Sequence, residues 1–172
     1  VLGEIYQAAN QIALSIATLT FMIANGMSVV AMIRVGNYKG LEDYISLRRV
    51  AISIFLFILL TQGVLGGLMG LLRYQLPALF LNIDKLSSAT NIGLVIEESA
   101  HLLLIAALFQ IVDGLQTVAL GALRGLQDAK VPMILSFISY WIIAFPICYY
   151  LGLHTPLKTT GIWIGLLIGL AF

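Results

Sequence analysis

Four stretches of this chain, each close to the length that a helix needs to cross a bilayer, carry almost no charge, and a fifth such stretch begins at Gly161. They cover about Ala8–Ile33, Val50–Leu72, Ser99–Leu123, Val131–Leu153 and Gly161–Phe172. In hydrocarbon every backbone N–H and C=O must find a partner within the protein, and helices of this length provide one. The expected fold is therefore all-α, a polytopic transmembrane helix bundle of about five membrane segments. Residues 1–172 form a single partial membrane domain. Composition agrees: 60% of the residues are hydrophobic and only 10% are charged, against about a quarter charged in soluble domains. Mean hydropathy is +1.03.

Nine Lys and Arg against eight Asp and Glu leave a formal charge of +1, too little for a nucleic-acid-binding field. The single Cys148 excludes an internal disulfide and a multi-cysteine metal site. Val1 is not an initiator, no basic leader and cleavage pattern follows it, and the last run gives only about 18 Å of helix. The expectation is an internal or C-terminal piece of a longer polytopic chain.

The first segment is expected to stop at Arg34-Val35-Gly36-Asn37, with Gly36 in the left-handed conformation. The third is expected to extend outward to Asn91. Asp128 and Pro132 suit the start of the fourth. Within it, Pro146 removes the amide that would bond the carbonyl of Ile142, so a kink is expected. The loop from Tyr38 to Arg49 mixes Leu41, Tyr44 and Ile45 with charged residues; it is either a short amphipathic helix on the inner surface or a plain connector. The loop 73–90, with Pro77 and the polar run Asn82 to Thr90, falls outside. Loops 34–49 and 124–130 hold six bases and the opposite side three, which makes the first side cytoplasmic.

Asp113 is the one acid inside the third segment. Eleven or twelve residues separate it from Arg124 and from His101, about 16–18 Å of helix, which puts it near the midplane of a layer about 30 Å thick. A charge facing lipid there costs at least about 2.5–3.5 kcal/mol. Gln110 and Gln116 or Thr117 lie three or four residues away and form a stripe with it. Such a carboxylate, flanked by amide and hydroxyl oxygens, can hold Na+ or take up H+, and either event changes its charge. The plainer alternative is a structural acid joining two helices. In the first segment Gln7, Gln11, Ser15, Thr18 and Asn25 recur on one helical face, where they line an aqueous path or bond to neighbouring helices. Glu97, Glu98 and His101 gather where the third segment enters the membrane, as an outer gate or as a solvated helix end. Gly63, Gly66, Gly67 and Gly70 form a small-residue face for a close helix neighbour. Tyr149 and Tyr150 sit where interfacial aromatic anchors form.

The chain resembles the multidrug and toxic compound extrusion (MATE) family, especially its NorM-like bacterial branch. The resemblance rests on Gln11-Ile12-Ala13-Leu14, Ile33-Arg34-Val35-Gly36, Phe109 to Gln116, Gly121-Ala122-Leu123-Arg124-Gly125, Ser139-Tyr140-Trp141 to Pro146, and Gly161 to Gly165, in this order. It implies helices eight to twelve of a twelve-helix fold, most of the C-terminal lobe, with the N-terminal half of the protein as its partner. It also implies a secondary active exporter of small cationic or amphipathic drugs, working by alternating access and by Na+ or H+ antiport. Asp113 matches the family's cation-coupling carboxylate in the tenth helix, and Phe109 stands where some sodium-coupled members have tyrosine. The bilayer implied is a bacterial inner (cytoplasmic) membrane.

The pathway candidates are Gln110, Gln116, Thr117, Gln11, Ser15, Thr18 and Asn25, with Asp113 as a possible Na+ ligand. No cofactor other than the coupling ion, and no enzymatic constellation, is expected. The rival readings are a lipid-linked saccharide flippase of the same superfamily and a non-transporting membrane scaffold subunit.

Overall fold

The computed structural model describes residues 4–80, 89–128, 130–153 and 158–171. Those residues form helices and the turns between them, with no strand among them. Helix α1 spans Glu4–Gly40, α2 Tyr44–Leu71, α3 Gln75–Phe80 and α4 Ala89–Gly125. Helix α5 spans Lys130–Phe137, followed without a break by a π-helical stretch, Ile138–Ala144, and by α6, Phe145–Leu153; α7 spans Lys158–Ala171. Four continuous spans, Tyr6–Gly40, Tyr44–Leu71, Ile92–Gly125 and Lys130–Gly152, are long and apolar enough to cross a membrane. The apolar part of α7, Thr160–Leu170, is shorter.

Helix α4 is the centre of the bundle, packed against α1, α2 and α7. Its 37 residues, about 55 Å, carry the expected extension beyond Asn91. The closest helix crossings use residues without a Cβ. A Cβ on Gly125 would stand 2.5 Å from the Met32 carbonyl oxygen, and one on Gly165 would stand 2.7 Å from Cys148 Sγ. With little apolar driving force between helices in lipid, such close packing is what holds a membrane bundle together. One apolar core joins Ala9, Ile12, Ala13 and Ile16 of α1 to Leu102, Leu103 and Ala106 of α4 and Trp163 of α7. A second joins Ala24 and Ala31 of α1 to Ile54 and Ile58 of α2 and Val118 of α4.

Several sequence expectations change here. Gly36 does not end α1: no glycine among the described residues has positive φ, and the helix continues to Gly40. Gly36 instead lets α4 approach, since a Cβ there would lie 3.3 Å from the Gly125 carbonyl. The left-handed residue that turns the chain is Glu42, φ 55. The separate amphipathic helix expected over Tyr38 to Arg49 is absent, and the plain-connector reading holds. Residues 41–43 form a tight turn, and Asp43 caps α2 by accepting the Ser46 N–H at 3.0 Å. The second segment accordingly starts at Tyr44, ahead of Val50.

In the connection between α2 and α4, expected to lie outside, 75–80 are helical as α3 around a buried Pro77, while residues 81–88, most of the predicted polar run, lie outside the described residues. Of the four glycines on α2, only Gly66 meets another backbone, with its Cβ position 3.0 Å from the Ala107 carbonyl; Gly63 and Gly67 have open space and Gly70 touches only a leucine side chain. Asp128 accepts the Val131 N–H at 3.3 Å, the start expected for the fourth span. The irregularity expected from Pro146 lies just before it. In the π-helical stretch the Phe145 N–H bonds to the Tyr140 carbonyl five residues back, a register that accommodates a missing proline amide in the next turn.

Candidate functional site

Asp113 is half-buried on α4 and lines a cavity of about 320 Å³ between α1, α4 and α7. The wall is largely apolar, with Leu14, Ala17 and Phe21 from α1 and Ile162 and Leu166 from α7. Its other polar groups are few: Gln110 one turn from the carboxylate on α4, Thr18 from α1, and Asn10 near the α7 side. The Trp163 Nε1–H donates to Asn10 Oδ1 at 2.9 Å, which ties α7 to α1 across the cavity. The Trp163 ring also meets the Phe109 ring edge-to-face at 5.7 Å. Aromatic side chains thus close the cavity on two sides.

No basic side chain stands against Asp113 among the described residues. The Tyr140 hydroxyl, from the π-helical stretch, is placed against the Gln116 amide and within electrostatic reach of Asp113. Gln110 is 3% exposed, and its Nε2–H donates to the main-chain carbonyl of Gln62 at 3.4 Å. The Gln110 Oε1 has no partner among the described residues. No group of three His, Cys, Asp or Glu side chains gathers among those residues. A cation at Asp113 would therefore take its remaining ligands from amide and hydroxyl oxygens, a donor set suited to a hard monovalent ion or to a proton.

The predicted polar groups are only partly brought together. Gln110, Asp113 and Thr18 share the cavity. Gln116 does not: six residues beyond Gln110 the helix has turned about 240° past full turns, and Gln116 lines a second cavity of about 390 Å³ with Ser136 and Ser139. Thr117 lines neither cavity, and its carbonyl accepts the Ser28 hydroxyl of α1 at 2.8 Å.

The α1 stripe keeps its common face, which is largely exposed, and only Thr18 of it lines the Asp113 cavity. Gln7, Gln11, Thr18 and Asn25 are exposed. Ser15 and Thr18 donate to the carbonyls of Gln11 and Leu14 on their own helix, both at 2.8 Å, which lets a hydroxyl sit in an apolar span. Glu97 and His101 are exposed and Glu98 half-buried along α4.

Sequence reading passed over Asn10, Gln62 and Trp163. Gln62 carried a usable signal, an amide near the middle of an apolar span; the other two are recognisable only through their mutual hydrogen bond.

The MatE family profile matches residues 1–150. A "Probable multidrug resistance protein NorM" of Rhodopseudomonas palustris is 42% identical to this chain over 163 residues, 95% of the chain and 33% of the relative. The "Multidrug resistance protein NorM" of Burkholderia vietnamiensis is 41% identical over 99% of the chain and 36% of its own length. A Synechocystis relative, again "Probable multidrug resistance protein NorM", is 37% identical over 99% of the chain. The chain thus spans about a third of the length of the curated relatives it matches.

Proposed function

The chain belongs to the MatE family, and from that premise we propose that it is part of a cation-coupled multidrug exporter, with Asp113 as the coupling carboxylate. The observation that carries this reading is a half-buried carboxylate on a mostly apolar cavity, beside Gln110 and Thr18 and with no basic partner among the described residues. An acid permanently paired with arginine would keep one charge state. One that faces a cavity can exchange a cation or proton with it, and the change of charge alters the cost of presenting the site to each side of the membrane. H+ and Na+ both fit this donor set, and either would serve as the coupling ion.

The piece is proposed to contribute most of a C-terminal lobe. The exposed amides and hydroxyls of Gln7, Gln11, Thr18 and Asn25 suit contact with the rest of the longer protein or with the drug pathway between two lobes. Small cationic or amphipathic drugs are the proposed cargo, and the cytoplasmic membrane of a bacterium the proposed location.

The test uses the full-length protein in vesicles with imposed sodium and pH gradients, reading ethidium efflux. Asp113→Asn keeps shape and removes the titratable charge, so gradient-driven efflux is expected to fall at least about tenfold while membrane insertion persists. Efflux that keeps its gradient dependence in this variant would falsify the coupling role.

A further inference from the structure

Helix α2 lays a glutamine across α4 beside Asp113. Gln62 is 1% exposed and belongs to the buried face of α2 that otherwise holds Ile54, Ile58, Gly66 and Met69. The contact with α4 is reciprocal. The Gln62 amide lies over Gly114, where a Cβ would stand 3.0 Å from Nε2, and the Gln110 amide lies over Gly66, where a Cβ would stand 3.1 Å from Nε2. Each helix thus contributes a glutamine and, four residues on, the glycine that receives the other's glutamine. Both Oε1 atoms are buried and without a partner among the described residues. An unmade hydrogen bond in so apolar a setting is costly, so two at one helix crossing single out this contact.

We propose that Gln62 is a positioning residue for the Asp113 carboxylate, acting through the contact its side-chain amide makes with α4 at Gly114. This rests on the reading of Asp113 as the coupling group. Gly114 follows Asp113 directly, so the Gln62 side chain wedged over it sets how α4 presents the carboxylate to the cavity. The groups facing Asp113 from other elements are Thr18 and Asn10 of α1, Trp163 of α7 and, within electrostatic reach, Tyr140 of the π-helical stretch. Tyr140 is the titratable one of these.

The experiment measures the proton or sodium concentration that gives half-maximal ethidium efflux by the full-length protein in vesicles. Gln62→Met, close in volume but without the amide, is expected to raise that concentration at least about threefold. Met69→Leu, two buried residues further along the same face of α2, is a packing control expected to leave it within about 1.5-fold. Should Gln62→Met fail to insert, Gln62→Asn keeps the amide but withdraws it by one methylene, and the same threefold rise is expected.

An unchanged half-maximal concentration in the Gln62 variant, or an equal rise in Met69→Leu, overturns the positioning role. Asp113→Asn run in parallel separates the two ideas. Loss of cation dependence there with no effect at Gln62 sinks only the positioning role, and retained cation dependence sinks both.

Discussion

Trp163 joins two kinds of wall around the cavity, its ring packed edge-on against Phe109 and its N–H bonded to Asn10. Trp163→Phe keeps an aromatic ring and removes the donor, leaving the Asn10 oxygen short of a partner. A loss of about 1–2 kcal/mol is expected, read as earlier thermal unfolding in detergent. Asn10→Leu should cost a similar amount, and the double variant less than the sum, because both remove one bond.

At the opposite kind of site, the solvent-facing turn before α2, hydrogen bonds from Ser46, through its hydroxyl and then its amide, hold the Asp43 carboxyl below its ordinary value. A lowered folded value means that the cap contributes fully above the unfolded aspartate value, about 3.9, and is lost as pH falls through the folded one. Below that window the first turn of α2 should fray, seen as faster hydrogen exchange at Ser46 after correction for the intrinsic rate. Asp43→Ala should fray at every pH and lose this dependence.

At the scale of helices, glycine decides where elements meet. A Cβ on Gly121 would run into the carbonyl and hydroxyl of Ser28, and the same Ser28 hydroxyl bonds to the Thr117 carbonyl. Backbone cannot move aside as a flexible side chain can, so Gly121→Ala should push α1 from α4 and cost about 1–3 kcal/mol. Gly63→Ala, in open space on α2, should change stability by less than about 1 kcal/mol, and in the stabilising direction through helix propensity. Unfolding of the two variants in one detergent compares them directly. The same logic explains why glycine spacing alone drew the contact on α2 too broadly: four glycines recur, but the α4 backbone reaches only Gly66. Similarly, Pro146 was legible as a break in hydrogen bonding, yet the form of the response, a π-helical stretch just before it against which α7 packs, was not.

Over the whole molecule, the ends of α1 and α4 come together, with the Lys39 ammonium donating to the Leu126 carbonyl. The two base-rich connections therefore lie at one end of the bundle, as the charge distribution requires of a shared cytoplasmic side. In a cysteine-free background of the full-length protein, single cysteines at Glu42 and Gln127 should react with an impermeant thiol reagent only from the cytoplasmic face, and one at Tyr74 only from outside. The outer surface carries Leu56, Leu60, Val64, Leu71 and Trp141, all exposed, as lipid-facing positions should be. This is an integral membrane protein, and its bundle is organised around α4 more than around any apolar stripe.

The class of fold, the approximate spans and the central acid were legible in the residues alone, because desolvating a charge or a backbone amide in lipid is costly and that cost is written residue by residue. The family was legible in its ordered motifs. The sequence did not determine which polar residues share a space. Gln110, Asp113 and Gln116 read as one stripe, yet α4 has neighbours on several sides and its rotation sends Gln116 to a different cavity. The α1 stripe was equally plain and turns outward, Thr18 alone reaching the site. Gln62 entered only through the crossing of α2 and α4. Periodicity fixes what lies on one face of a helix, whereas only the tertiary structure decides what that face meets.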